Sequence, residues 1–422
     1  MGAAMRKVPD ASAGAPDTPA ASPRGFAGLL AVANMGLWIS LIPPVLVTLQ
    51  LRLEELDPAA KERNAGIVLG VGAFLALVGN PLAGRLSDRT ASRFGRRRPW
   101  LVGGMAAGTA GLAVVALVPS LPVILAGWCL AQLSFNATLA ALAATIPDQV
   151  PAERRGSMSG VLGLTQIIAI IAGVGLVAAL PGLAAKFLVP AVLGTVLVAV
   201  FALLLPDRRL SEPAAPFSLR EFAGTFWVSP RRHPDFGYAW LTRFLVSFGV
   251  FAPLTYLAFF LPDRAGVAED DVDETVALLV VIGLGCTAIT SVLGGWLSDR
   301  AGRRKPFVIG SGAVLAAGIG LLAPATALPQ VIVAQIVLGV AGGMFLAVDM
   351  ALITQVLPDP DTAAKDLGVI NIANTLPQSL APAVGSLFLG LGGGENYPAF
   401  YAFAALCALA GAVFVTRIKG VR

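Results

Sequence analysis

Long apolar runs are the feature of this sequence that most restricts its fold. A hydrocarbon core about 30 Å thick needs about 20 apolar residues in an α-helix, and twelve segments meet this requirement. Because backbone polar groups in hydrocarbon must bond within their own segment, we predict an all-α integral membrane protein with twelve transmembrane helices. The predicted spans are residues 26–49, 65–86, 99–118, 122–146, 157–180, 184–205, 237–261, 275–297, 306–323, 328–354, 367–391 and 397–416.

The composition supports this class and the charges predict its orientation. Hydrophobic residues make up 56% of the chain and charged residues only 13%, about half the charged share of a soluble globule. With the N-terminus inside, 24 of the 30 Lys and Arg residues fall in cytoplasmic loops or tails. The positive-inside rule thus explains the net charge of +5, and no nucleic-acid partner is needed. We expect a multi-pass protein of the plasma or inner membrane with both termini in the cytoplasm.

An arginine-rich segment after the second predicted span has a partial copy in the second half of the chain. The segment 84–100 is G-R-L-S-D-R-T-A-S-R-F-G-R-R-R-P-W, and the copy at 294–306 is G-G-W-L-S-D-R-A-G-R-R-K-P. Asp88 of the segment and Asp299 of the copy are 211 positions apart. This repeat predicts that the two halves of the chain have the same fold.

A second pair of landmarks supports the repeat and helps to set the domain boundaries. Pro147-Asp148 and Pro358-Asp359 are again separated by 211 positions, which predicts two parallel repeats of six helices each. Two halves in one chain make a monomer sufficient. The predicted domains are a disordered cytoplasmic tail at 1–24, an N-terminal six-helix half at 25–205, a cytoplasmic linker at 206–236 and a C-terminal six-helix half at 237–422.

We call the charged segment and its copy the clasp. Asp88 can cap a neighbouring helix or pair with basic residues, and we expect either contact only while the cytoplasmic side is closed. The arginines alternatively serve only to set topology, but the recurring L-S-D-R word favours a conformational role. The predicted clasp residues are Gly84, Asp88, Arg89, Arg96, Arg97, Arg98, Asp299, Arg300, Arg303 and Arg304.

Polar side chains recur along one face of several predicted spans. Trp128, Gln132 and Asn136 are spaced by four residues and share a helix face. Such amides either bridge helices or line a polar cavity, where amides and indoles suit hydroxyl-rich or neutral polar molecules. The predicted cavity residues are Asn34, Trp38, Trp128, Gln132, Asn136, Arg243, Ser247, Gln335, Asp349, Asn371, Asn374 and Gln378.

Arg243 and Asp349 are the two charged residues that lie clearly within predicted spans. An isolated charge inside a membrane costs about 2.5–3.5 kcal/mol on insertion scales, so each needs a partner or contact with water. We predict both as coupling candidates. Two interpretations remain open: a pair whose strength changes when Asp349 is protonated or substrate binds, and a purely structural role, either as a static ion pair or with Asp349 bonded only to helix ends of the clasp.

The residues that common catalytic sites require are missing from the sequence. The single histidine, His233, lies in the basic linker, which excludes catalytic triads and His-rich metal sites by count. No G-x-x-x-x-G-K-[ST] loop for a nucleotide is present. We therefore expect a protein that is not an enzyme, with no cofactor and no metal, driven by an ion or solute gradient.

The clasp motifs resemble a known sequence signature. G-R-L-S-D-R with G-R-R-R-P, repeated as G-W-L-S-D-R-A-G-R-R-K-P, is similar to the segments between helices 2 and 3 and between helices 8 and 9 of the major facilitator superfamily. The longer form D-R-T-A-S-R-F-G-R-R-R-P-W, with D-Q-V-P-A-E-R-R-G after the fourth span, further resembles the glycoside-cation and sucrose-proton symporters.

This resemblance implies a sugar-like substrate, carried by rocking of the two halves, with a proton or sodium ion as coupling partner. It also implies that helices 1, 4, 7 and 10 face a central cavity, which would bring Arg243 and Asp349 within reach of each other. Cation-coupled members of those symporter families have carboxylates in first-half helices. This chain has no Asp or Glu within predicted spans 1, 2, 4 or 5.

We therefore predict a secondary active transporter for a small-molecule substrate, with a sugar or glycoside symporter as the first choice. One alternative on the same fold is an exporter of drugs or metabolites. An alternative of another class is a membrane receptor or scaffold that binds without moving solute. A channel is disfavoured because no ring of repeated filter residues is present.

Overall fold

A computed structural model describes residues 25–151, 154–207, 228–353, 356, 363–391 and 396–419. The predicted tail, most of the predicted linker and the Pro358-Asp359 turn lie outside the described residues. All regular elements among the described residues are helices, as the apolar spans predict.

Six membrane spans make up the N-terminal half. Each is long and apolar enough to cross a bilayer, and the first consists of two α-helices in one continuous rod. The helices are α1 Phe26–Pro43, α2 Leu49–Leu56, α3 Lys61–Asp88, α4 Arg98–Leu117, α5 Leu121–Gln149, α6 Arg155–Ala179 and α7 Leu183–Leu204.

Two adjacent prolines loosen the first span without ending it. Pro43 and Pro44 have no amide hydrogen to donate, and the chain forms a π-helical turn at Pro44–Thr48 before α2 continues to Leu56. The predicted boundary at residue 49 was therefore wrong by about two helical turns. The extra turns bring side chains of α2 to the same membrane face as the start of α3.

The C-terminal half has the same number of spans with one break. Ten single spans and one bent pair of helices, α8 and α9, pass the length and hydropathy test over the described chain. The remaining long helix, α13, is not among these eleven, but its 27 residues extend about 40 Å at 1.5 Å per residue, which is enough to cross a bilayer. The helices are α8 Pro234–Thr255, α9 Leu257–Arg264, α10 Val272–Ala301, α11 Lys305–Leu322, α12 Leu328–Ile353, α13 Ala363–Leu389 and α14 Tyr397–Phe414.

The seventh predicted span, 237–261, is the one that is broken. Its two helices, α8 and α9, meet at an angle of 54° at Tyr256, just after Pro253. Pro253 cannot donate to the helical ladder, which favours a break nearby. Tyr256 itself is fully buried, so the bend lies inside the protein.

Both halves repeat one packing pattern. In the N-terminal half α1 packs on α6 and α7, α4 packs on α5 and α7, and α3 packs on α5. In the C-terminal half α8 packs on α13 and α14, α11 packs on α12 and α14, and α10 packs on α12. The halves meet where α3 packs on α13 and α6 packs on α10. The repeat seen in the sequence is thus a repeat of helix packing.

Glycines let α4 and α5 cross closely. Gly111 of α4 lies against the carbonyl oxygen of Gly127 in α5, and a Cβ added at Gly111 would lie 2.6 Å from that oxygen. The same Cβ would lie 2.9 Å from the backbone nitrogen of Ala131. Membrane helices gain van der Waals contact at such small-residue crossings, since lipid provides no hydrophobic force between them.

We expect Gly111→Ala to lower the thermal unfolding temperature of the purified protein, because its methyl group would meet backbone atoms that cannot rotate away. Overpacking of this kind costs about 1–3 kcal/mol. Gly320→Ala in α11 is the control, since a Cβ at Gly320 has no atom within 4 Å. Equal melting temperatures of the two variants in detergent would contradict the close crossing.

Candidate functional site

The two membrane faces of the protein differ in charge. We call the side that holds residues 89–97 and 302–304 the arginine-rich face. The opposite side holds residues 57–60 and 265–271, including Asp57 and the run Glu269–Asp271, and we call it the acidic face.

A cavity of about 530 Å³ lies between α1, α5 and α6 of the N-terminal half. Asn34 and Trp38 contribute to its wall from α1, and Gln166 contributes from α6. At one end the lining includes Pro147 near the end of α5 and Arg155 at the start of α6. The cavity therefore reaches the arginine-rich face.

Hydrogen bonds fix the orientation of Asn34 in this wall. Its Nδ2 donates to the carbonyl oxygen of Leu162 at 3.0 Å and to Oγ1 of Thr165 at 2.9 Å. Its Oδ1 accepts from Nε1 of Trp38 at 3.2 Å. The amide is only 2% exposed, so its main role in this conformation is to position the Trp38 indole.

Sequence analysis predicted Asn34 and Trp38 but missed Gln166 and Arg155. A signal for Gln166 was present, because Thr165 and Gln166 are the only polar residues between positions 160 and 180. Arg155 was counted only as a topological charge. Its guanidinium donates to the carbonyl oxygens of Val150 and Pro147, which hold it at the mouth of the cavity.

The polar stripe of α5 lies elsewhere. Trp128 is fully buried against Gly72 of α3, and its Nε1 has no hydrogen-bond partner among the described residues. Gln132 also contacts Gly72, and Asn136 donates from Nδ2 to the carbonyl oxygen of Gln132 at 2.9 Å. The structure thus places Trp128 and Gln132 in the packing between α3 and α5 and not in the cavity wall.

In the C-terminal half, Arg243 and Asp349 form a buried ion pair. Nη1 of Arg243 lies 2.6 Å from Oδ2 of Asp349, which joins α8 to α12. One helical turn along α8, Oγ of Ser247 donates to Oδ1 of Asn374 at 3.4 Å. Since removal of one partner leaves an uncompensated buried charge, the pair is expected to resist separation.

The remaining predicted cavity residues are distributed over α12 and α13. Gln335 packs close to Gly283 of α10, where its amide fills the space that a side chain would occupy. Asn371 and Gln378 are exposed on α13. The structure therefore brings Arg243 and Asp349 together, with the Ser247–Asn374 contact one turn away, and it leaves Gln335, Asn371 and Gln378 outside this group.

Arg97 is the central residue of the clasp. Its Nε donates to Asp148 at 2.9 Å, Nη2 donates to Asp88 at 2.5 Å and Nη1 donates to Oγ of Ser87 at 2.6 Å. Arg96 also pairs with Asp148. Burial disfavours the charged Arg97 side chain, but the bonds and charges of Asp148 and Asp88 outweigh it and raise the pKa of Arg97.

The helix cap predicted for Asp88 is formed by another residue. Oδ2 of Asp207 accepts the backbone N–H groups of Arg97 and Arg98 at 2.7 and 2.8 Å, which caps the start of α4. The Arg98 guanidinium donates to the carbonyl oxygens of Leu203 and Leu205 at the end of α7. A cation at a helix C-terminus is favourable because of the helix dipole.

These clasp contacts join helix ends of one half and do not join the two halves. They connect the ends of α3, α5 and α7 to the start of α4, and they are present while contacts between the halves hold the acidic face together. That the Asp88 contact forms only while the cytoplasmic side is closed stays a prediction.

The other predicted clasp residues lie beside these contacts or in the copy. Gly84 faces Ala140 of α5 at van der Waals distance, and Arg89 directly follows α3. In the copy, the Arg300 guanidinium lies 5.5 Å from the centre of the Trp296 ring and Arg303 is exposed. Arg304 precedes α11, and the Asp299 side chain lies outside the description.

Sequence analysis missed a polar network that joins the two halves at the acidic face. Nζ of Lys61 lies 2.7 Å from both Glu54 and Asp263, and it also lies 5.1 Å from the centre of the Phe259 ring. The Tyr397 hydroxyl donates to Asp263 at 2.7 Å. Lys61 therefore links α2 and α3 of one half to α9 and α14 of the other.

Further contacts at the acidic face support the same closure. Nε2 of Gln50 donates to the carbonyl oxygen of Thr255 at 2.9 Å, and the Tyr256 hydroxyl donates to the carbonyl oxygen of Glu62 at 3.2 Å. Lys186 pairs with Asp273 between α7 and α10. The bend at Tyr256 places α9 where these contacts form.

Two six-helix halves with the same packing, held together at one membrane face, with a cavity in the N-terminal half that reaches the other face, define the class of two-repeat helical membrane transporters. The family model of the Major Facilitator Superfamily matches residues 25–285 and 267–421. The chain belongs to this superfamily.

Individual proteins resemble the chain only at low sequence identity. The chain is 26% identical over 203 residues to the MFS transporter asaE of Aspergillus flavus, covering 47% of this chain and 44% of that protein. It is 28% identical over 296 residues to the class E tetracycline resistance protein of Escherichia coli, covering 67% of each. Among solved structures, a D323A mutant of the nucleoside transporter NupG superposes with a TM-score of 0.74 at 14% identity, covering 93% and 98%.

We expect Asp148→Asn to destabilise the protein more than Asp88→Asn. Asp148 is mostly buried and binds two arginines, and breaking a buried pair costs about 3–5 kcal/mol. The Asp88 side chain is 56% exposed, and such pairs contribute about 0–1 kcal/mol. Thermal unfolding of both variants in one detergent measures the difference, and a larger loss for Asp88→Asn would contradict this account of the clasp.

Proposed function

We propose that this protein is a secondary transporter that moves a small polar solute by alternating access. The observation that supports this proposal is the arrangement of contacts on the two faces. Ion pairs of Lys61 and Lys186 hold the halves together at the acidic face. The cavity lined by Asn34 and Trp38 reaches the arginine-rich face. A solute site accessible from one side is what such a cycle requires.

The charges supply the orientation. The positive-inside rule assigns the arginine-rich face to the cytoplasm, together with both chain termini. In this assignment the structure is the inward-facing state of the cycle. The acidic face then lies outside, where the Lys61 network acts as the closed gate.

The cavity side chains favour a hydroxyl-rich substrate. The Trp38 indole offers a flat apolar surface and the Gln166 amide offers both a donor and an acceptor. A sugar or glycoside fits this combination of stacking and neutral hydrogen bonding. The sugar ring of a nucleoside has the same chemistry, and we place nucleosides in the same substrate class.

Export of a drug or metabolite is the second candidate. The similarity to a tetracycline resistance protein over two thirds of the chain supports it. Arg155 at the cavity mouth would suit a substrate that carries an anionic group. Import of a neutral sugar and export of a charged compound are separated by the direction of transport and by the substrate.

Reconstituted vesicles test the proposal directly. We expect uptake of at least one member of a panel of sugars, nucleosides and tetracycline. Gln166→Ala should raise the KM for that solute about tenfold, equivalent to about 1.4 kcal/mol of lost binding. Gln330→Ala, at an exposed position near the start of α12, is the control and should leave KM unchanged. No flux of any panel member, or equal KM values for the two variants, would contradict the proposed site.

We also propose that Arg243 and Asp349 couple transport to protons. Asp349 is the carboxylate buried between α8 and α12, and the first-half spans 1, 2, 4 and 5 offer none in their interiors. Protonation of Asp349 would remove its charge and release Arg243. Separating the two charges of a buried ion pair costs free energy, so proton binding by Asp349 would be linked to movement of α8 against α12.

Asp349→Asn should therefore abolish uphill accumulation driven by a proton gradient while exchange of solute across the membrane continues. Asn keeps the size of the side chain and cannot carry a proton. Glu269→Gln at the exposed acidic face is the control. Unchanged pH dependence and unchanged uphill uptake in Asp349→Asn would show that the pair is only structural.

A further inference from the structure

A second groove lies on the flank of the N-terminal half, away from the solute cavity. Its volume is about 510 Å³, and it runs between α3, α4 and α5 near the arginine-rich face. Its lining residues are Thr90, Pro99, Trp100, Gly103, Gly104, Leu133, Ser134 and Ala137. None of these residues belongs to the solute cavity or to the clasp contacts described above.

The helix packing explains why a groove exists here. Both α3 and α4 pack on α5, but they make few contacts with each other. The floor is therefore α5, on which Gly104 packs closely, and Gly103 leaves the α4 wall open because no atom lies within 4 Å of a Cβ added there. At the arginine-rich end, Nε1 of Trp100 donates to Oγ1 of Thr90 at 2.7 Å and bridges the groove.

The groove opens on the surface of the protein that faces lipid. Leu86 of α3, Val102 of α4 and Leu133 of α5 are 38%, 41% and 40% exposed, and all three lie within spans. Exposed apolar side chains at this depth are covered by acyl chains in a bilayer. An acyl chain between α3 and α4 would fill the space that protein side chains leave.

A loop with an exposed arginine follows Thr90, which lines the groove at its arginine-rich end. The loop that follows Thr90 presents Arg93 and Phe94 as exposed side chains, with the guanidinium 4.7 Å from the centre of the Phe94 ring. Arg96 and Arg97 point back to Asp148 within the protein. Arg93 is thus the arginine of this loop that projects from the surface, at the depth where lipid phosphates lie.

We propose that this groove binds one anionic phospholipid, with an acyl chain between α3 and α4 and the headgroup phosphate beside Arg93. Anionic headgroups are attracted to basic residues next to a span, and a groove for the chain makes the interaction specific for a lipid. The lipid would stabilise the connection between α3 and α4 that carries the clasp arginines.

Thermal unfolding of the full-length protein, stripped of lipid in detergent, tests this proposal. We expect phosphatidylglycerol to raise the melting temperature more than phosphatidylcholine with the same acyl chains. Gly103→Phe should remove this difference, because the new ring fills the groove and a Cβ at Gly103 has no atom within 4 Å. Gly320→Phe, an equally open position on α11, is the control and should retain it.

A second variant and a soluble probe decide the role of each part of the lipid. Arg93→Gln should respond equally to the two lipids, and glycerol phosphate without acyl chains should leave the melting temperature unchanged. Equal responses of the unmodified protein to both lipids would overturn the proposal. The proposal would also be overturned if both Gly103→Phe and Arg93→Gln kept the full difference in melting temperature between the two lipids. A rise in melting temperature with glycerol phosphate as large as that with phosphatidylglycerol would overturn it as well.

Discussion

The hydrocarbon core offers no partner to a polar group, and this constraint decides where the polar side chains of the described spans lie. Arg52, near the acidic end of the first span, is 8% exposed and donates to the carbonyl oxygen of Val115 and to Glu55. Arg243 pairs with Asp349 in the same way. Each such contact joins two helices or two turns, so the need for partners also determines which helices remain together.

The clasp illustrates how this need produces a rigid unit. Arg97 and Arg98 connect four helix ends, and Asp207 caps α4, which starts at these two arginines. All of these groups belong to the N-terminal half except Asp207, which lies at the start of the predicted linker. The Lys61 network joins the halves through fewer residues and at one face only. A half whose helix ends are joined to each other by such charged contacts suits rotation as one body.

The fold was largely predictable because its signals are periodic and local. Apolar runs give the spans, and the repeated L-S-D-R word gives the two halves. The partners of the arginines were not predictable, since Asp148 and Asp207 lie 51 and 110 positions from Arg97. Trp128 shows a second limit: spacing identifies the face on which a residue lies, but it does not reveal whether another helix or a cavity meets that face.

The break at Tyr256 has an energetic consequence for the acidic face. In an unbroken helix, any swing of its outer end would require several backbone hydrogen bonds to rupture, each costly in an apolar environment. Here the ladder is already interrupted between α8 and α9, which meet at 54°. The barrier to moving the eight-residue segment α9 is thus set by side-chain contacts, which include those of Asp263 and the packing of Phe260 on Tyr397 and Tyr401. Such contacts can be tuned by single substitutions without damage to the membrane-spanning scaffold.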